Sequence, residues 1–226
     1  MKSRILILLT LLFATIKVYS QADWNSIVSF SGEISKKIVS GLDVSFQEDI
    51  RLNAEKQSFS SSISTLQLDY ALIPRLLKIG TLYSYRYQLN DDEYYQSRHR
   101  WALQATFKQK ISFDWSASLR FRYQTSYREE YYKEYKVNPK NYFRTKLGLG
   151  YNFKGSRWAY GTFAEPFVYL NNLGQPLMDR IRYQVEADYL LGRYSCLCGF
   201  ARFDQSIQVK QPVNTFMIGL IYKYRL

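Results

Sequence analysis

The feature that most constrains this 226-residue chain is a period-two hydropathy pattern that persists for 12–15 residues at a stretch. In residues 41–53, Leu42, Val44, Phe46, Ile50 and Leu52 alternate with Asp43, Ser45, Gln47, Asp49, Arg51 and Asn53, and only Glu48 interrupts the apolar set. Residues 77–89 set Leu77, Ile79, Tyr83, Tyr85, Tyr87 and Leu89 against Lys78, Gly80, Ser84, Arg86 and Gln88, with Leu82 the one apolar intruder. Trp101, Leu103, Ala105 and Phe107 oppose Arg98, Arg100, Gln104, Thr106 and Lys108 in the same way, as do Phe113, Trp115, Leu119, Phe121 and Tyr123 against Asp114, Ser116, Ser118, Arg120, Arg122 and Gln124. Successive side chains of a strand point to opposite faces, so each segment predicts a strand with one greasy and one wet face.

The second half repeats the pattern. Phe143, Leu147, Leu149, Tyr151 and Phe153 face away from Arg144, Lys146 and Asn152, and Ile181, Tyr183, Val185, Ala187 and Tyr189 face away from Arg180, Arg182, Gln184, Glu186 and Asp188. Two segments have blurred parity: in 157–170, Phe163, Phe167 and Tyr169 share a face with Glu165, and in 194–208, Arg202 follows Phe200 on one side. Strands of globular proteins average about 5–6 residues, whereas a strand that crosses a bilayer needs about 9–11. The length of the alternation therefore predicts an all-β fold, a transmembrane up-and-down antiparallel β-barrel.

The links support a meander. Short ones fall at Pro74–Arg75, Lys110–Ser112, Lys154–Ser156 and Leu191–Arg193, and longer polar ones at 54–61, 90–96, 128–140, 171–178 and 205–213, which is the rhythm of short turns at one rim and long loops at the other. Candidate strands begin near 24, 41, 62, 76, 97, 113, 141, 157, 179, 194 and 214. Single-chain bacterial barrels usually have an even number, so these eleven predict 10 strands, if Trp24 to Ile34 does not span, or 12, if one is missed.

The amino terminus reads as an export signal. Lys2 and Arg4 precede an apolar run from Ile5 to Phe13 and a cut expected after Ser20, so residues 1–20 form a signal peptide and 21–226 the barrel domain. Loss of Lys2, Arg4 and Lys17 lowers the formal net charge from +12 to +9, with all 19 acids retained. Export makes nucleic acid an unsuited partner for that charge and leaves lipopolysaccharide and anionic small solutes as suited ones.

Several short stretches carry a resemblance. Trp24, the Ser35-Lys36-Lys37 turn, Arg51, Tyr85-Arg86-Tyr87, Arg98-His99-Arg100, Phe121-Arg122-Tyr123-Gln124 and Arg144 at the opening of a strand resemble the bacterial outer-membrane family called domain of unknown function 2490, over most of 24–226. The resemblance implies a barrel in the cell outer membrane of a Gram-negative bacterium and transfers no mechanism. The ending Tyr222-Lys223-Tyr224-Arg225-Leu226 resembles a final strand read by barrel-assembly machinery, with Leu where such strands often end in Phe.

With the apolar face turned to lipid, the interior receives Arg51, Lys78, Arg86, Arg98, Arg100, Arg120, Arg122, Arg144, Lys146, Arg180, Arg182, Lys223 and Arg225 against Asp43, Asp49, Asp69, Asp114, Glu165, Glu186 and Asp188. An Arg or Lys facing lipid at the midplane would cost about 2–4 kcal/mol, which selects this orientation. Two readings of the interior stand open: a narrow, anion-preferring, porin-like channel lined by arginine, or a closed structural or surface-interaction barrel filled by Arg–carboxylate pairs.

Enzyme chemistry finds little footing. His99 is the single histidine, and Ser97 two residues before it shares its outward face, but a hydrolytic dyad needs a third group to orient the imidazole. Cys196 and Cys198 project to one face, which disfavours a disulfide, and they lack the second pair of a structural zinc site. No metal or cofactor is expected. The segment 128–140, dense in Tyr and mixed charge, reads as a solvated surface loop.

Overall fold

The computed structural model describes residues 23–89, 94–128, 138–171, 177–209 and 211–226. The predicted signal peptide lies outside these residues, as do most of the 128–140 loop and parts of the links at 90–96, 171–178 and 205–213. Eleven strands form one closed barrel: β1 (Asp23–Val39), β2 (Leu42–Asn53), β3 (Ser58–Ile73), β4 (Leu77–Leu89), β5 (Tyr95–Lys110), β6 (Trp115–Arg128), β7 (Lys140–Asn152), β8 (Trp158–Tyr169), β9 (Leu177–Leu190), β10 (Ser195–Ser206) and β11 (Val213–Arg225). Each begins within four residues of its predicted start.

The count corrects the expectation of 10 or 12 strands. Trp24 to Ile34 lies within a full strand that pairs antiparallel with β2 and parallel with β11, from Asp23 opposite Val213 to Ser35 opposite Arg225. The reason is geometric: an odd meander leaves its first and last strands running the same way, so the closing seam has to be parallel. All other neighbours pair antiparallel in chain order. Closure leaves no strand with an unpaired edge.

The turns need two smaller corrections. Ser35, Lys36 and Lys37 belong to β1, and the chain reverses instead at Ser40-Gly41, where Gly41 has φ of 88°, a left-handed conformation that glycine adopts without a Cβ penalty. The link expected at 54–61 shrinks to 54–57, because β3 starts at Ser58. Turns after β1, β3, β5, β7 and β9 share the short-turn rim, and the links after β2, β4, β6, β8 and β10 share the other, here called the long-link rim.

Outward-facing side chains are large and apolar: Phe46, Leu66, Trp101, Leu103, Leu147, Val185, Ile218 and Leu220 are each exposed by 42–58%. Polar side chains fill the inside, and Ser29, Ser61, Gln124, Arg144, Glu165 and Gln184 are buried there. The barrel is thus inverted relative to a water-soluble protein, whose apolar faces pack on a core. A minor apolar cluster does lie inside, where Ile27 of β1, Phe200 of β10 and Met217 of β11 meet with Ile221 beside the seam. The Phe200 ring lies over Gly219, where a Cβ would stand 2.6 Å from it.

Candidate functional site

Among the described residues, strand parity gathers charge on the interior face. Antiparallel pairing puts Arg120 beside Lys146 and Arg122 beside Arg144, so β6 and β7 bring four cations together on the inner face. β8 answers them with Glu165, which accepts from Arg120 through Oε1 at 2.8 Å and from Arg144 through Oε2 at 2.7 Å. That carboxylate is 1% exposed and Arg144 4%. Arg144 also donates to Gln124 at 2.7 Å, and Arg122 donates to Gln104 at 2.6 Å, whose amide passes the contact on to Asp69 at 3.1 Å. Charge-assisted bonds of this kind are short and roughly twice as strong as neutral ones.

A second knot joins β9 and β10. Arg182 grips Asp204 with two bonds of 2.7 Å, and Arg180 stands 3.7 Å from the same carboxylate. Arg202 donates to Gln184 at 2.7 Å, which in turn donates to Glu186 at 2.9 Å. Phe167, 3% exposed, ties the two knots together, because the guanidinium carbons of Arg144, Arg180 and Arg182 lie 4.1, 4.3 and 5.1 Å from its ring centroid. Such cation–π contacts gain strength where water is excluded. Lys146 likewise sits 3.5 Å from the Phe163 ring centroid.

Small residues let these side chains lie flat against the wall. A Cβ at Gly80 would collide with Asp69 Oδ1, and one at Gly161 would meet Glu186 Oε1 at 2.7 Å. Toward the short-turn rim the pairs are looser: Lys78 meets Asp43 at 3.1 Å and Lys223 meets Asp188 at 3.0 Å, with more exposed side chains.

The predicted interior residues therefore fall into distinct sets. Arg120, Arg144 and Glu165 meet directly, Arg180 and Arg182 share Asp204, and Arg122, Lys146 and Glu186 take amide or aromatic partners. Arg86, Arg98 and Arg100 stand apart from the two knots; the first two oppose each other in register, and Arg98 is hydrogen-bonded to Gln96 at 3.2 Å. Asp114, expected inside, sits instead in the turn before β6, where its carbonyl accepts from Asn152 N–H at 2.9 Å. Asp204, Arg202 and Phe167 were not among the predicted residues. Their inward parity was present in the sequence but masked, since β8 and β10 mix aromatics and charges on one face.

Outside the barrel, Ser97 and His99 do not form a dyad. Tyr83 Oη lies 2.7 Å from His99 Nδ1, and Tyr85 Oη lies 2.9 Å from Ser97 Oγ, so each is engaged by a different tyrosine. Glu48 also faces outward, and its carboxylate accepts hydrogen bonds from Ser62 and Ser64 of β3. Cys196 and Cys198 are free thiols. Among the described residues no group of three or more His, Cys, Asp or Glu is placed to hold a metal ion.

A family model described as protein of unknown function DUF2490 matches residues 24–197. The chain belongs to this family. The DUF2490 match spans β1 to the start of β10, so it covers Glu165, Phe167 and every predicted interior residue up to Asp188, and it stops short of Asp204 and β11. No curated protein matches the chain. Among solved structures, this DUF2490 protein is similar to the β domain of the Bordetella autotransporter BrkA, at 14% identity and a TM-score of 0.42 over 74% of this chain and 78% of that one.

Proposed function

We propose that this protein is an integral barrel of the bacterial outer membrane, exported by the signal at residues 1–20, whose interior is sealed by its own side chains. The membrane assignment is carried by the inverted partition of the wall, greasy outside and charged inside. A continuous belt of exposed Trp, Tyr, Leu, Ile and Phe around the whole circumference far exceeds the apolar patches that monomeric soluble proteins tolerate. Strands of 12 to 17 residues suffice to cross a bilayer with length to spare.

Burial at Glu165 and Arg144 favours the sealed interior over the porin-like channel. In a water-filled pore, inward side chains toward mid-height would be wet, whereas these two, with Gln124 and Ser29, are almost wholly buried. The barrel is therefore read as structural or surface-interacting, with lipopolysaccharide and the barrel-assembly machinery as its partners in the membrane. Ser97 and His99 add nothing to a hydrolase reading, and a phospholipid-hydrolysis assay of the refolded protein is expected to be blank.

Two measurements test the proposal. Fractionation is expected to leave the protein in the outer membrane until detergent is added; recovery in a soluble fraction would sink the membrane assignment. Planar-bilayer recording of the refolded protein is expected to show no steady openings, whereas a stable anion-selective conductance would restore the channel.

A further inference from the structure

Among the described residues, guanidinium groups near the long-link rim outnumber the carboxylates that face them. Arg86 of β4 lies within electrostatic reach of Arg51, Arg98 and Arg100, and Arg100 within reach of Arg180 and Arg182 from across the barrel. The nearby acids are already engaged, Asp49 by Arg51, Ser29 and Ser31, and Asp204 by Arg180 and Arg182. Arg86 and Arg100 form no ion pair among the described residues, and the Nε of each is sealed from solvent with no acceptor. Ser61 of β3 is the register partner of Arg51 on one side and Gln88 on the other, is 1% exposed, and carries a hydroxyl without a partner.

Charges held partly out of water without an ion-pair partner are costly, and like charges raise that cost. The network closes elsewhere by pairing each guanidinium with a carboxylate, an amide or a ring. Here an anion is the partner the surroundings call for.

We propose that the long-link half of the lumen is a binding site for a phosphate group, held by Arg86, Arg100 and the Ser61 hydroxyl inside the positive field of Arg51 and Arg98. A tetrahedral phosphate offers oxygens in several directions and so can accept from guanidiniums on different strands, whereas a carboxylate presents two oxygens in one plane that a single guanidinium fork already matches. Entry is from the long-link rim, since Arg86 stands three residues from the end of β4. Free phosphate and the phosphate monoester of a headgroup share this chemistry. The site deepens the sealed-barrel reading, and the two fail separately: conductance tests the seal, and phosphate affinity tests the site.

The experiment uses the full folded chain in detergent. Inorganic phosphate is expected to raise the thermal midpoint saturably over chloride at equal ionic strength, and calorimetry to give a one-site isotherm. Arg86→Gln and Arg100→Gln are each expected to weaken phosphate binding at least about tenfold, the loss that follows removal of one charge-assisted hydrogen bond, while Lys78→Gln at the other rim leaves it within about twofold. Glycerol 3-phosphate binding more tightly than inorganic phosphate would identify the ligand as a headgroup monoester, and the reverse would identify it as the free ion. Equal midpoints in phosphate and chloride would overturn the site, as would unchanged affinity in a folded Arg86→Gln protein. Malonate binding as tightly as phosphate would overturn the phosphate assignment. Should Arg86→Gln fail to fold, the wild-type titration and Arg100→Gln still decide the matter.

Discussion

Glu165 compensates two guanidiniums from two different strands while itself almost wholly buried, so its charge matters in a way that an exposed pair's does not. Removing one partner of a buried ion pair leaves the other charge stranded, at about 3–5 kcal/mol. Glu165→Gln, which keeps the shape and deletes the charge, is expected to lower stability by that amount, read as a fall in the urea midpoint of the refolded barrel. Asp43→Asn is the contrasting case. Its partner Lys78 is half exposed, and such pairs contribute about 0–1 kcal/mol, so the midpoint is expected to stay nearly unchanged. Gly219 makes a third test, because the Phe200 ring and the Ser29 carbonyl occupy the space of any added methyl group. Gly219→Ala is expected to cost about 1–3 kcal/mol through overpacking at the seam.

Strands were the most legible level in the sequence, because parity encodes facing directly. Where one face held mainly aromatics and aliphatics, as in β4 to β6, both the strand and its orientation could be read from alternation. In β8 and β10 the lumen takes Phe163, Phe167 and Phe200 as packing against lysine and arginine side chains, so apolar residues appear on both faces and parity loses contrast. That is also why Asp204 escaped notice: its significance depends on Arg182, 22 positions away in the chain, and on the register between β9 and β10. Facing itself can be tested on one element. Leu103→Arg, midway along the outer face of β5, is expected to cost about 2–4 kcal/mol in lipid, whereas Gln109→Arg, on the same face one residue from the end of β5, costs about 0–1. Equal costs in bilayer unfolding experiments would contradict a lipid-facing outer wall.

At the scale of the molecule, closure depends on the pairing least visible in the sequence. Hairpins bring ten of the eleven neighbouring pairs together locally, but β1 and β11 meet only after almost the whole chain has been placed. Alternation pointed to eleven strands, and the habit of even-numbered barrels pulled the expectation to 10 or 12; no local signal reports the relative direction of two strands so far apart. Long-range pairing of this kind slows folding. Truncation before Val213 is expected to leave a protein that cannot close, seen as loss of the heat-resistant compact band on a gel.

The parallel seam also gives the barrel a polarity. In an even-stranded meander the two chain ends emerge at the same rim, and a tight turn could stitch them together into a circular permutant. Here Asp23 lies at one rim and Arg225 at the other, so a ring-closing linker would have to run the height of the wall, roughly 40 Å at about 3.3 Å per residue. In the membrane setting proposed above, labels at Asp23 and Arg225 would therefore report from opposite sides, making the molecule a one-way marker of its own insertion.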